Sequence, residues 1–433
     1  EIDGISIDTI GVKFKGNSSY NNQSDKKPFK LDLNDYIGSA NIDGLKKLNL
    51  NNGFKDPSFL REKIALDFYN EHGITAPRCG YTKLYINTLY WGLYTVVEEV
   101  DKTFLNGRFN DNDGNLFKGD PQGDLKWIDN NPASYYSKYE LHTNETQNNW
   151  SDLVHFIKQA NSPATLLYDS LNNVFHATDF LRAWAGTNLF VNLDSYIGSG
   201  HNYFIYHDST TNKFRWIIWD VNETFGNFNM GMQPAQLTSL PYDYINNPNN
   251  RPLANNMRLN TLYHSVLGYE MCDLVFNGFS NAELNAKIDS IANAIRPHVY
   301  ADNKKFFTNQ QFEDNINNDI SVPGTPGGSN ILGIKSFISA RRSNLINQLS
   351  ALGCIAGIKD SNPTDMHIYP NPGAGRVNIS SIKKQAFILL GSEGSIITTG
   401  LLQKGNNEIY FNCSPGFYLL KTEEGIVSKI IIQ

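Results

Sequence analysis

The sequence predicts an α+β chain followed by a small all-β tail, and three observations carry that reading. Apolar and polar residues alternate through the first hundred positions, as in half-buried strands. Helical periodicity dominates from about 150 to 352, interrupted near 203–218 by aromatic and β-branched runs. After 353 the composition changes to short apolar runs separated by turns containing Gly and Asn. At 433 residues there is material for two domains or more. A net charge of −6 leaves no basic excess to neutralise phosphates, which excludes a general nucleic-acid binder. No run of 18 apolar residues is present, so no membrane span is expected. Cys79, Cys272, Cys354 and Cys413 have no metal-ligand spacing and read as free buried thiols, with one disulfide open to an exported chain. The chain opens at Glu1 without Met or a signal peptide, as a truncated or mature form does.

In chain order, residues 10–15 alternate as a strand and run into Gly16-Asn17-Ser18-Ser19. Residues 26–33 form a second strand with Phe29, Leu31 and Leu33 on its apolar side. A Gly- and Ser-containing turn here is either an ordinary hairpin turn or a backbone cradle for phosphates. A third strand within 44–54 closes in Asn51-Asn52-Gly53, and Asp56-Pro57-Ser58 then starts a helix that Gly73 ends. That helix carries Arg61 and Glu62, for which a solvated face or an internal ion pair is the ordinary explanation. A hairpin over 81–97 ends in Glu98-Glu99-Val100-Asp101-Lys102. Residues 106–150 lack the glutamate of a calcium hand and read as irregular surface. Helices are expected over 150–159, 165–171, 179–192, 252–275, 281–296 and 331–352, with 226–250 an aperiodic lid or substrate loop.

The chemistry concentrates between 192 and 226. The helix over 179–192 delivers the chain into Asp194. Strand-like runs at 203–206 and 214–218 flank a Ser-Thr-Thr-Asn turn, and the second leads to Asp220-Val221-Asn222-Glu223. A hairpin of this kind brings Asp194, Asn202 and Asp220 to one end. Two Asp and one Asn are hard oxygen ligands suited to Mg²⁺ or Mn²⁺. They are also the set that phosphoryl transfer uses: a carboxylate to orient a hydroxyl, and an Asn and an Asp to hold metal. For the lone His201, packing or an internal hydrogen bond is the ordinary explanation.

These residues resemble those of the spore-coat-protein-H-like (CotH) kinase family, atypical kinases with a shortened kinase fold. Further blocks share the resemblance: Lys15-Gly16-Asn17-Ser18-Ser19, Lys26-Lys27-Pro28-Phe29-Lys30, the run 48–54, 59–63, 90–94 with 97–102, and the closing helix. It covers about residues 5–352 and implies a two-lobed atypical protein-kinase-like domain over 1–352. By resemblance Asp194 is the catalytic base, while Asn202 and Asp220 are metal ligands. Lys15 stands where Arg is usual, and Lys27 or Lys30 meets the nucleotide phosphates. Glu98 would face the cleft and pair a nucleotide-binding lysine or approach the metal, an acidic surface turn being the competing reading. Asn222 completes the expected metal-side set and stands where the family commonly carries a second acid, which leaves the first metal ligand intact and bears on the second ion.

After a polar linker over 353–364, the stretch Tyr369-Pro370-Asn371-Pro372 and the closing Gly416-Phe417-Tyr418-Leu419-Leu420 resemble the C-terminal sorting domain of the type IX secretion system. Short strands near Val377, Phe387, Ile396, Glu408, Phe417 and Ile426 imply an Ig-like β-sandwich over 365–433. The combined expectation is a secreted or outer-membrane surface kinase of a Gram-negative bacterium. It would use ATP with Mg or Mn to phosphorylate Ser or Thr hydroxyls of protein partners, after export by the type IX machinery. The alternative is an inactive kinase-like surface or adhesion protein.

Overall fold

The alternation read in the first hundred residues becomes one antiparallel sheet in the computed structural model, which describes residues 1–323, 330–350, 352, 366–391, 396–422 and 427–432. Strands β1 (Gly11–Phe14), β2 (Phe29–Asp32) and β3 (Lys47–Asn51) are followed by helix α1 (Arg61–Glu71) and then by β4 (Cys79–Ile86) and β5 (Leu89–Glu98). The order is β1-β2-β3-β5-β4, with Asn51 of β3 opposite Thr95 of β5. The helix expected from Asp56 begins only at Arg61. The Asp56 carboxylate instead turns inward to accept from the backbone N–H of Ser58 (3.0 Å) and of Arg61 (3.0 Å), after Lys55 takes a left-handed φ of 62°.

Residues 106–150 are more ordered than their composition suggests. They hold the second half of α2 (Lys102–Phe109), then β6 (Leu116–Lys118) and β7 (Glu140–Leu141). Helices α3 (Ser151–Ala160), α4 (Leu167–Leu171) and α5 (Ala177–Leu189) follow, and then the hairpin of β8 (Tyr203–Asp208) and β9 (Lys213–Ile218). This second sheet has the order β7-β6-β8-β9. Its floor is aromatic: Tyr203 and Trp216 stack at 4.3 Å, and Phe180 of α5 meets Trp216 edge-on at 4.6 Å. Such packing fixes the hairpin against α5.

The aperiodic 226–250 stretch contains a short helix, α6 (Pro234–Thr238). The single helix expected over 252–275 is two, α7 (Pro252–Leu259) and α8 (Thr261–Asn277). Asn260 breaks it, because its side chain accepts from the Tyr263 N–H (3.1 Å) and caps the second helix. Then come α9 (Asn281–Ala301), α10 (Asn309–Asn317), the paired β10 (Ile320–Ser321) and β11 (Asn330–Ile331), and α11 (Ile334–Ser350).

The tail folds as two sheets sharing a core that includes Val377, Ile379, Leu389 and Leu420. Its strands are β12 (Met366–Tyr369), β13 (Arg376–Ser381), β14 (Gln385–Gly391), β15 (Ile396–Leu402), β16 (Gly405–Tyr410), β17 (Gly416–Thr422) and β18 (Val427–Ile432). Their orders are β12-β13-β16 and β15-β14-β17-β18. Phe417 rests on Tyr269 of α8 with centroids 4.8 Å apart. The linker over 353–364 and Cys354 lie outside the described residues, while the strand expected near Ile426 is β18, described from Val427. Cys79 and Cys413 are free thiols, whereas Cys272 is disulfide-bonded rather than free.

Arg61 ties the start of α1 to the helical body from full burial. Its Nη1 donates to Asp56 Oδ1 (2.5 Å) and Asn315 Oδ1 (3.0 Å), and its Nη2 to the Leu332 carbonyl (2.5 Å). Removing one member of a buried ion pair strands the other charge. Arg61→Met is therefore expected to lower unfolding stability by about 3–5 kcal/mol, measured as a drop in the urea midpoint.

Candidate functional site

The loop that carries Asp194 is shaped by its own backbone. Ser199 N–H reaches the Leu193 carbonyl (2.9 Å), Gly200 N–H the Ser195 carbonyl (2.9 Å), and Ser195 Oγ the Asn192 carbonyl (2.7 Å). Position 198 must be glycine, because a Cβ there would lie 1.8 Å from the Leu193 oxygen. Asp194 Oδ1 accepts from Ser199 Oγ (3.0 Å) and lies 3.0 Å from His201 Nε2, while Asn202 Nδ2 donates to Oδ2 (3.1 Å). Burial opposes ionisation of Asp194, but the His201 and Ser199 contacts prevail and hold its carboxyl below the usual range. His201 has the matching shift: burial would lower its pKa, but Asp194 holds it raised.

Antiparallel pairing sets the second half. Tyr203 lies opposite Ile218, so Asn202, just before β8, and Asp220, just after β9, leave the hairpin at the same end. Both take left-handed backbones, φ 60° at Asn202 and 52° at Asp220, which Asn and Asp tolerate better than most residues. Beyond Asp220 the chain returns to the end of α5 through Phe225 N–H to the Phe190 carbonyl (2.7 Å). The Asp220 carboxylate accepts no hydrogen bond from any described residue. Burial raises its pKa and the charge of Asp194 adds to that, while Lys15, Lys118 and His201 oppose it.

Lys15 stands across from Asp220, and the two line one pocket with Gly16, Asn51, Glu62 and Asn222. Lys15 Nζ donates to Asn51 Oδ1 (2.8 Å), and Asn51 Nδ2 donates to both Glu62 oxygens (2.8 Å each). Burial lowers the Lys15 pKa, against the pull of Asp220, Glu62 and Glu99. Lys30 pairs with Glu99 (2.6 Å), whose other oxygen accepts from Asn49 (2.7 Å). Burial works against the Glu99 charge, yet Lys30 and Asn49 hold its pKa low.

Two candidates, Glu98 and Lys27, do not line this pocket. Glu98 does not pair a nucleotide-facing lysine. It binds Arg78 (2.7 Å) and Arg108 (3.2 Å), because successive residues of an extended chain point to opposite faces and Glu99 takes the Lys30 side. Lys27 turns to its own loop and donates to the carbonyls of Tyr20 (2.8 Å) and Asn22 (2.5 Å). The residues that sequence reasoning left out or set aside are Asn51, Glu62, Glu99, His201, Lys55 and Glu223. Strand parity alone would have separated Glu99 from Glu98; the others carry no local signal.

Glu223 is buried, and its Oε1 pairs with Lys55 Nζ (2.7 Å) while Oε2 has no partner. Burial raises its pKa, with Asp194 and Asp220 adding to the rise against Lys55. Among the described residues no three His, Cys, Asp or Glu side chains are already gathered for a metal. The donor chemistry nevertheless suits a hard divalent cation: Asp194 and Asp220 carry mutually repelling charges, and Asn202 keeps its Oδ1 free while its amide nitrogen is used.

Comparison with known proteins gives two family matches, "CotH kinase protein" over residues 12–322 and "Secretion system C-terminal sorting domain" over 367–433. The inner spore coat protein H of Bacillus subtilis is 25% identical over 189 residues, 42% of this chain and 51% of that protein. Two Rhizopus delemar invasins, CotH3 and CotH2, are each 21% identical, over 85% and 79% of this chain and 64% and 60% of theirs. The chain thus spans between half and two thirds of the length of these relatives. Among solved structures, the Helicobacter pylori proinflammatory kinase CtkA aligns with 78% of this chain and 93% of its own, at 10% identity and a TM-score of 0.33.

Glu62 gives the site a pH signature. Burial and the neighbouring Asp220 push its carboxyl up to about 7, although the Asn51 hydrogen bond and Lys15 favour the charge. Below the ordinary glutamate pKa the folded and unfolded chains are both protonated there, so Glu62 has no effect on stability. As pH rises to about 7 the unfolded chain loses the proton first, and stability falls by on the order of 3 kcal/mol. Glu62→Gln should remove that part of the decline, seen as a flatter melting temperature between pH 4.5 and 7.5 than in the wild type.

Proposed function

We propose that this chain, which belongs to the CotH kinase protein family, is an exported kinase that moves the γ-phosphoryl group of ATP to Ser or Thr hydroxyls of protein partners, with Mg²⁺ or Mn²⁺ as cofactor. The observation that carries this reading is the meeting of Lys15, Asn51 and Glu62 with Asp220 in one pocket, beside the Asp194–His201–Asn202 cluster. Phosphoryl transfer asks for a cation on the phosphates, oxygen ligands for a metal, and a carboxylate facing the acceptor hydroxyl.

Asp194 is the acceptor-orienting base. It is ionised at neutral pH and steadied by Ser199, His201 and Asn202, so its carboxylate is ready to take the hydroxyl hydrogen bond and then the proton. Lys15 supplies the phosphate-facing positive charge, and Glu62 holds it through Asn51 in the way a helix glutamate steadies the nucleotide lysine of other kinases. Lys30, tied to Glu99, adds a second cation nearby. Asp220 and Asn202 would hold the metal, which when bound neutralises charge on the phosphate oxygens. Lys27 and Glu98 have no part in this arrangement. The sorting domain supports type IX export and a secreted or cell-surface location.

A second reading is a kinase-like surface protein without chemistry. It is favoured by Asn222, which lines the pocket where family members commonly carry an acid. Labelled ATP with Mn²⁺ separates the two. The wild type should label itself, and Asp194→Ala and Asp220→Ala should each lose at least about 100-fold in rate with little change in melting temperature. Absence of labelling, together with no rise in wild-type melting temperature on adding ATP and Mn²⁺, would leave the surface-protein reading standing.

A further inference from the structure

We infer that Glu223 is a further metal-binding carboxylate and that Lys55 is its counter-ion until a divalent cation takes that place, whereupon the freed Lys55 ammonium faces the transferred phosphoryl group. The inference rests on the kinase reading above and adds two residues to it.

The position of Glu223 is the first ground. It lies one residue beyond Asn222, so the acid missing at 222 is present at 223. Its side chain is more than nine-tenths buried and Oε2 has no partner, an expensive state for a carboxylate unless something else binds it. Asp194 and Asp220 both act on its charge, so its carboxylate lies within electrostatic reach of the two acids already placed in the site. Carboxylates within electrostatic reach of one another repel, and a divalent cation relieves that repulsion while giving the unpartnered Oε2 a ligand.

Lys55 is the second ground. It reaches Glu223 from the loop between β3 and α1, 168 positions away in sequence, so the pair bridges the N-terminal sheet and the helical body. The contact has built supports: a left-handed backbone at Lys55 (φ 62°), and Asn227 Nδ2 donating to the Lys55 carbonyl (2.9 Å). The Lys55 charge also acts on Asp194, so the ammonium lies within electrostatic reach of the acceptor-orienting carboxylate. As the pair stands, Lys55 occupies one Glu223 oxygen, and no three acids are gathered at one point among the described residues. Releasing Lys55 and bringing in a cation exchanges one positive partner of Glu223 for another. No bond to carbon or phosphorus is made or broken in that exchange.

The test reads metal binding apart from activity. Mn²⁺ affinity of the full chain, followed by the loss of the free-ion paramagnetic resonance signal, is compared for wild type, Asp220→Ala, Glu223→Gln and Lys55→Met. Glu223→Gln should weaken Mn²⁺ by at least about tenfold. Lys55→Met removes the competitor and should tighten Mn²⁺ severalfold without nucleotide, yet lower the phosphorylation rate. A merely structural ion pair predicts changes of the same sign in the two variants, or none. Weakening in both, or wild-type affinity in Glu223→Gln with Asp220→Ala impaired, overturns the inference and leaves the kinase reading intact. No Mn²⁺ binding in the wild type overturns both.

Discussion

The pairing of β8 with β9 is the constraint on which the site depends. The register that sets Tyr203 against Ile218 decides that Asn202 and Asp220 emerge side by side, and a slip of one residue would turn every side chain of a strand to the other face. That register is protected by what lies beneath it. Tyr203 stacks on Trp216, Trp216 meets Phe180 of α5, and all three are almost wholly buried. Because α5 also feeds the loop of Asp194, one aromatic cluster fixes the three oxygen-bearing side chains relative to one another.

The opposite wall has a different foundation. Lys15, Asn51, Glu62, Lys30, Asn49 and Glu99 form two short relays from cation to carboxylate, one with an amide interposed and one in direct contact. Amides do work here that charges alone would do poorly, since an unrelieved buried charge is costly and an Asn can accept from a lysine while donating to a glutamate. The tail is a separate matter: it has its own core and meets the rest through Phe417 on Tyr269 and the Lys429–Glu270 pair.

Legibility in the sequence followed the range of the forces involved. The strands of the N-terminal sheet, α5, the β8–β9 hairpin and the tail strands come from period and turn chemistry, which are local. The break at Asn260 and the delayed start of α1 at Arg61 were missed because a side-chain cap and an inward-turned Asp56 overrode the helical pattern. Among site residues, Asp194, Asn202, Asp220 and Lys15 were identified from loop positions and family resemblance, and the structure brings them to one region. Glu98 was misplaced by a single residue of strand parity.

By itself the sequence determined the alternation of elements, the two-part division of the chain, and the Asp-Asn-Asp set at the ends of a hairpin, since each is written in spacing of a few residues. Tertiary structure alone decided which glutamates count. Glu62, Glu99 and Glu223 look like ordinary surface charges along the chain, yet each is buried against a partner that arrives from a distant position, Asn51, Lys30 and Lys55 respectively. The physical reason is that electrostatics acts through space in a poorly screened interior, where a neighbour in the fold matters more than a neighbour in sequence.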